Sequence, residues 1–244
     1  MKRTLLLICL ALAACVGHPA DDEDDSGITG PGTPTEEGAP CLLLDFTATW
    51  CVNCPRMASA VEEAASMRPG SVFPVSIHVH DGMSFPEGEA VATDFGIQAY
   101  PSLVVNLSAS SLITATSADL ILSKMDVTAA LRKGTCTLEL SVDGGKLAAQ
   151  VGVSMAGSYR LGVLLLEDGV AAPQTGAGDN YIHDNILRKI LSGSIAGEDL
   201  GSLESGASVR KEFSFETEGT GKYHVVAYVT DGSLVQTVSS VTLP

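Results

Sequence analysis

The spacing of apolar positions changes character along the chain, and each change marks an element. Cys41-Leu42-Leu43-Leu44-Asp45-Phe46 is a short, nearly continuous apolar run of buried-strand length. From Arg56 to Met67 the apolar positions Met57, Val61, Ala64 and Ala65 fall at helical spacing, so a helix follows that strand closely. The pattern then predicts a strand over 71–80, a short helix over 87–95, a hairpin from 102–107 and 112–116, and a closing helix over 118–133. After Gly134 the period drops to two. Residues 137–142 and 146–153 alternate on either side of Asp143-Gly144-Gly145, a strong hairpin turn. Further strands are predicted over 159–166, 209–215, 223–230 and 234–243, with Asp231-Gly232 as a second tight turn. About six strands in a hundred or so residues suggest a mostly antiparallel β-sandwich. It is interrupted by a glycine-rich loop over 168–180 and by residues 181–191, where Ile182, Ile186 and Ile190 stand four apart and predict one amphipathic helix packed on the sheets.

The first forty residues follow another logic. Lys2 and Arg3 precede an apolar stretch from Thr4 to Ala13, too short to span a membrane, and Leu12-Ala13-Ala14-Cys15 closes it with small residues and a cysteine. This arrangement resembles a bacterial lipoprotein lipobox. The resemblance implies a signal peptide over 1–14 and lipidation of Cys15, with several acyl chains anchoring the protein to a membrane it does not cross. Residues 15–38 carry no aromatic side chain and many Gly, Pro, Asp and Glu, so they read as an acidic flexible tether. Within it, Asp21-Asp22-Glu23-Asp24-Asp25 is a solvated charge run, and it also resembles the surface-export signal of some Bacteroidota lipoproteins.

Composition narrows the partners. The chain has 244 residues, 45% of them hydrophobic, which suffices for one large or two modest cores. Its net charge of −15 opposes a counterion-release grip on phosphates, so no nucleic acid partner is expected. Six cysteines are too few for a disulfide-stapled miniature scaffold and lack paired zinc-ribbon spacing. Each needs its own account.

Trp50-Cys51-Val52-Asn53-Cys54-Pro55 places two cysteines where the first strand hands over to the first helix. Residues three apart share a helix face within disulfide range, and free N–H groups at a helix start favour a thiolate. Cys51 is therefore the expected nucleophile and Cys54 the resolving partner. Strand, Asp, Phe and then Trp-Cys-x-x-Cys-Pro opening a helix resembles a thioredoxin-fold domain. The likeness covers residues 39–134. It implies that Asp45 is the buried acid that handles the resolving cysteine's proton. It also implies that Pro101, in Ala99-Tyr100-Pro101-Ser102, is a cis-proline facing the disulfide. Trp50 and Tyr100 would then contact an incoming peptide. In that fold the closing helix ends near the start of the first strand, which suggests a structural disulfide between Cys41 and Cys136; two free buried thiols are the alternative.

His78 and His80 alternate on a predicted strand beside Asp81, but they lack a clearly spaced third ligand. Strand-end hydrogen bonding is the stronger reading. No metal and no cofactor are expected. The string Tyr181-Ile182-His183-Asp184-Asn185-Ile186-Leu187-Arg188, after a thioredoxin-like domain, resembles Bacteroidota outer-membrane lipoproteins that join this fold to a β-sandwich, a 28-kDa outer-membrane-protein-like family. The expected fold is thus an α/β thioredoxin-like domain followed by a β-sandwich domain over 135–244. The expected activity is thiol–disulfide exchange on exported proteins, with cysteine-containing protein substrates and a recycling partner, from an outer-membrane anchor. The alternative is a surface binding or scaffolding lipoprotein whose cysteine pair is only structural.

Overall fold

A computed structural model describes residues 38–244, so the expected signal peptide, Cys15 and the expected tether up to residue 37 lie outside the described residues. The first half contains β1 (Cys41–Thr47), α1 (Cys54–Met67), β2 (Val72–His78), α2 (Pro86–Asp94), β3 (Ser102–Val105) and α3 (Ala118–Ala130). The second contains β4 (Cys136–Asp143), β5 (Lys146–Val153), β6 (Gly157–Asp168), β7 (Val170–Gln174), β8 (Gly178–His183), β9 (Ile186–Ile190), β10 (Glu198–Leu203), β11 (Ser208–Ser214), β12 (Lys222–Thr230) and β13 (Val235–Thr242).

Strand β1 runs parallel to β2 and antiparallel to β3. Its alternation sorts the core. Leu42, Leu44 and Phe46 join a cluster with Val91 and Ala92 of α2, whereas Cys41 and Leu43 join one with Met57 and Val61 of α1 and Ile121 and Met125 of α3. Asp45 shares the parity of Cys41 and Leu43, which puts it on the α1 side of the sheet. Helix α1 carries proline in its first turn, where the missing N–H has no intrahelical partner to lose.

The sheet does not end with the first half. Its order is β13-β12-β6-β9-β2-β1-β3, with β10 also on β6, so strands of the second half extend the thioredoxin-like sheet. The junction is parallel: Ser76 of β2 stands opposite Ile186 of β9, and Ser76 N donates to Asn185 O at 2.8 Å. The position 134/135 is therefore a change in element order within one compact unit. The β-sandwich is present as well. A three-stranded sheet, β11-β5-β4, lays Leu147, Val151 and Phe213 over Leu161, Val163 and Val225 of β6 and β12. On the opposite face of those two strands, Tyr228 is fully buried, and a Cβ at Gly162 would stand 2.0 Å from its ring.

Three expectations need correction. Residues 181–191 form no helix: β8 ends at His183, the chain turns at Asp184-Asn185, and β9 begins at Ile186. Asn185 takes φ +57°, and Asp168 Oδ1 accepts its N–H at 2.7 Å while Asp184 Oδ1 accepts from Gly169 N at 2.7 Å. That turn, together with the open edges of β2 and β6, draws the segment into the sheet. The glycine-rich loop over 168–180 is largely the β7–β8 hairpin. The hairpin expected over 102–116 is reduced to a single bridge between Leu103 and Ile113.

Candidate redox site

Cys51 and Cys54 are joined in a disulfide with a Cα separation of 5.5 Å, and Cys54 opens α1. Cys51 is 5% exposed, while its neighbours Trp50 and Val52 are 47% and 59% exposed, so the sulfur pair sits beneath an apolar rim. Trp50 meets Tyr100 edge-on with ring centroids 5.5 Å apart. The Tyr100–Pro101 bond is cis, and both residues line a groove with Asn53 and Arg56. The fold thus brings Trp50, Tyr100 and Pro101 to the cysteine loop.

Behind the disulfide lies a second space. A cavity of about 220 Å³ is lined by Asp45, Cys54, Val61, His78, Gln174 and His183, among others. Asp45 is buried, and its Oδ1 has no hydrogen-bond partner. Burial in apolar surroundings pushes its carboxyl up to about 7, so a proton is taken or given near neutrality.

Residues to which the sequence assigned no such role hold the cysteine loop in place. Gln174, at the end of β7, donates from Nε2 to Cys51 O at 2.8 Å and to Ala48 O at 3.3 Å. Thr175 N donates to Thr49 O at 2.8 Å. Gly176, at φ +87°, approaches so closely that a Cβ there would stand 2.9 Å from Val52 O. From the other side Asp81 Oδ2 accepts from Thr49 N at 2.8 Å and lies 2.7 Å from His78 Nδ1, while its Oδ1 accepts from Met83 N at 2.8 Å. Burial alone would raise the Asp81 carboxyl, but the His78 ring and the two amides outweigh it and hold it at about 2. The only sequence signals for these roles were the Gly-rich turn and an Asp just past a strand.

A family model described as outer membrane protein Omp28 matches residues 88–243. The chain belongs to this family. A thioredoxin model matches residues 36–126, overlapping the Omp28 match across α2 to α3. Thioredoxin of Haemophilus influenzae is 33% identical over 64 residues, 26% of this chain and 54% of that protein. Protein disulfide-isomerase A2 of Pongo abelii is 34% identical over 64 residues, again 26% of this chain but 12% of that protein. The chain therefore spans about half the length of the thioredoxin and a small part of the isomerase. Among solved structures, HBP35 of Porphyromonas gingivalis superposes with a TM-score of 0.66 at 22% identity, covering 84% of this chain and 76% of that one, which shows a shared fold.

Within this Omp28-family chain, the expected bridge between Cys41 and Cys136 is not formed. Cys41 and Cys136 are free thiols. Helix α3 does end beside Cys41, as the fold resemblance implied, but Arg132 occupies the meeting point: its Nη2 lies 3.6 Å from Cys41 Sγ and donates to Pro40 O at 2.5 Å. Asn106 Nδ2 donates to the same sulfur at 3.2 Å. Burial raises the Cys41 thiol despite these donors, and burial with the nearby Asp231 charge pushes Cys136 up to about 11. His78 and His80 each meet a carboxylate, in keeping with the hydrogen-bonding reading. Strand β2 ends at His78, which is buried on Asp81, while His80 takes φ +53° and sits exposed 3.1 Å from Glu89. Arg188 pairs with Glu167 at 2.7 Å.

Proposed function

We propose that this protein is a membrane-anchored thiol–disulfide oxidoreductase of the cell envelope, acting on exported proteins through the Cys51/Cys54 dithiol. The observation that carries the reading is the cysteine pair at the start of α1 with a neutral-range carboxyl, Asp45, enclosed behind it. In the reduced state Cys51 attacks a substrate disulfide and forms a mixed disulfide. Cys54 then displaces the substrate, and Asp45 takes the resolving cysteine's proton. Trp50 and Tyr100 offer apolar surface to the substrate chain, and a dithiol partner resets the pair. Family membership supports an outer-membrane location, and a lipid on Cys15 is the proposed anchor; among the described residues no helix is long and apolar enough to cross a membrane.

The test is insulin reduction together with covalent trapping. Wild-type protein is expected to reduce insulin, Cys51→Ser to be inactive, and Cys54→Ser to accumulate mixed disulfides with client proteins. Wild-type protein that neither reduces insulin nor exchanges with glutathione would refute the proposal. A second reading, a structural disulfide that braces a scaffolding lipoprotein, draws on the low exposure of Cys51 and on the β7–β8 hairpin bonded to its loop. A redox midpoint far below the glutathione range would favour it.

A further inference from the structure

Two buried polar atoms among the described residues have no hydrogen-bond partner, Asp45 Oδ1 and His183 Nε2. They come from opposite halves of the chain, yet both residues line the same cavity behind Cys54. Asp45 and His183 are 5% and 6% exposed, and the two atoms themselves are buried. An unmet buried polar group is costly, and two on one cavity call for a shared occupant. The cavity's 220 Å³ has room for several waters at about 30 Å³ each, with polar partners at both ends.

The His183 ring is built for the far end of such a chain. It bonds the Ala172 backbone, which leaves Nε2 as the ring nitrogen without a partner, in a residue that lines the cavity. Tyr181 and His78 pack edge-on against it, with centroids at 4.8 and 5.2 Å. Around it stand Asp81 and His78 from the end of β2, Asp184 and Tyr181 from its own segment, and Asp45 and Glu62 across the cavity from β1 and α1. Burial and the His78 ring lower its affinity for a proton, with Asp81 and Asp184 partly opposing them.

We propose that His183 is the second station of a proton path from the disulfide: cavity water carries the proton that Asp45 receives from Cys54 to His183 Nε2, and from there to solvent. The proposal rests on the oxidoreductase reading and extends it to a residue of the second half. In the resolving step the Cys54 S–H bond breaks and its proton goes to the Asp45 carboxylate. Cys54 sulfur then attacks Cys51 sulfur in the mixed disulfide, the Cys51–substrate S–S bond breaks, and the substrate leaves as a thiolate. Two electrons pass from the dithiol to the substrate disulfide over the full exchange. The proton on Asp45 must depart before the next cycle, and His183 takes it. His183 acts through Asp45, as a positioning and relay residue.

The experiment is stopped-flow oxidation of the reduced protein by a peptide disulfide from pH 5 to 9, followed by the fluorescence of Trp50, the chain's single tryptophan. His183→Gln keeps a polar side chain but carries no proton at these pH values. It is expected to slow the resolving step about tenfold near pH 7, less than the loss of a group that meets the reacting atoms directly because His183 acts one station away, and to flatten the pH profile. His183→Ala should be equally slow and regain rate with added imidazole. In an Asp45→Asn background either change should have no further effect. A His183→Gln rate and pH profile equal to wild type would overturn the relay while leaving the oxidoreductase intact; so would an equal loss in the Asp45→Asn background. Wild-type protein inactive in the same assay would sink both. If a variant fails to fold, the unmodified chain decides the matter: the ¹⁵N shift of His183 Nε2 should follow the Asp45 titration near pH 7, and a shift indifferent to it refutes the path.

Discussion

Replacing Asp45 by Asn turns its burial into a measurable dependence of stability on pH. The carboxyl titrates at about 7 in the folded protein against 3.8 when unperturbed. Between those values the folded state holds a proton that the unfolded chain has released. The derivative of unfolding free energy with pH is then negative, so stability is complete below pH 4 and is lost as pH rises toward 7. Each unit of difference corresponds to about 1.4 kcal/mol, so some three units give a loss of about 4 kcal/mol by pH 8. Asparagine has the same shape and no charge, and it escapes that loss. Its amide brings a hydrogen-bonding cost of about 1–3 kcal/mol that does not change with pH, so the slope carries the information and the offset does not. Other titrating groups, Asp81 included, are common to both proteins and cancel in the difference. Urea unfolding of the oxidised proteins, followed by Trp50 fluorescence at pH 4 to 8, gives the comparison without added ions. Asp45→Asn is expected to gain on wild type by about 4 kcal/mol between pH 4 and pH 8. A difference that stays flat, or that moves the other way, would show that the carboxyl is not held in its protonated form by burial.

Three further substitutions probe the supports of the site and sheet. Gln174→Ala leaves Cys51 O and Ala48 O without their side-chain donor, so it should cost about 1–3 kcal/mol and speed amide exchange at Thr175; unchanged exchange would mean the hairpin is held without it. Asp81→Asn removes a carboxylate held at about 2, whose contribution is present above the ordinary value of 3.8 and lost as pH falls through 2. The variant should therefore be about 2 kcal/mol less stable at pH 7 and equal to wild type near pH 2, and a penalty of the same size at both would place its cause elsewhere. Gly162→Ala would drive a methyl into the Tyr228 ring, so about 1–3 kcal/mol should appear in thermal or urea unfolding; a neutral result would show that β6 and β12 separate easily.

What could be read from the sequence was what a short window contains. The β1 run, the Met57/Val61/Ala64 stripe of α1 and the turn between β4 and β5 are local, and each element stands where the pattern puts it. Residues 181–191 failed for a physical reason. Isoleucines four apart suit a helix, but Asp184-Asn185 suits a left-handed turn, and the turn prevails because two strand edges are waiting for a partner. Periodicity within a segment carries no information about a vacant edge elsewhere. The continuous sheet was hidden in the same way, since Ser76 and Ile186 meet across more than a hundred residues.

The site divides along the same line. The placement of Cys51, Cys54, Asp45 and the Tyr100–Pro101 pair was legible because it depends on neighbours within a few residues, or on a spacing that a familiar fold repeats. Gln174 was not, because it has no role until the sheet is assembled; its bond to Cys51 spans 123 positions. That assembly also constrains what the second half can be. β9 pairs with β2, and β2 pairs with β1, which carries Asp45, so the β7–β8 hairpin is tied through two strands to the acid behind the disulfide. A module hung on a linker could be removed without touching the chemistry at Cys51. Here removal would expose β2, open the cavity and release the loop that holds the cysteines, so the thioredoxin-like half is expected to lose its site geometry when expressed alone.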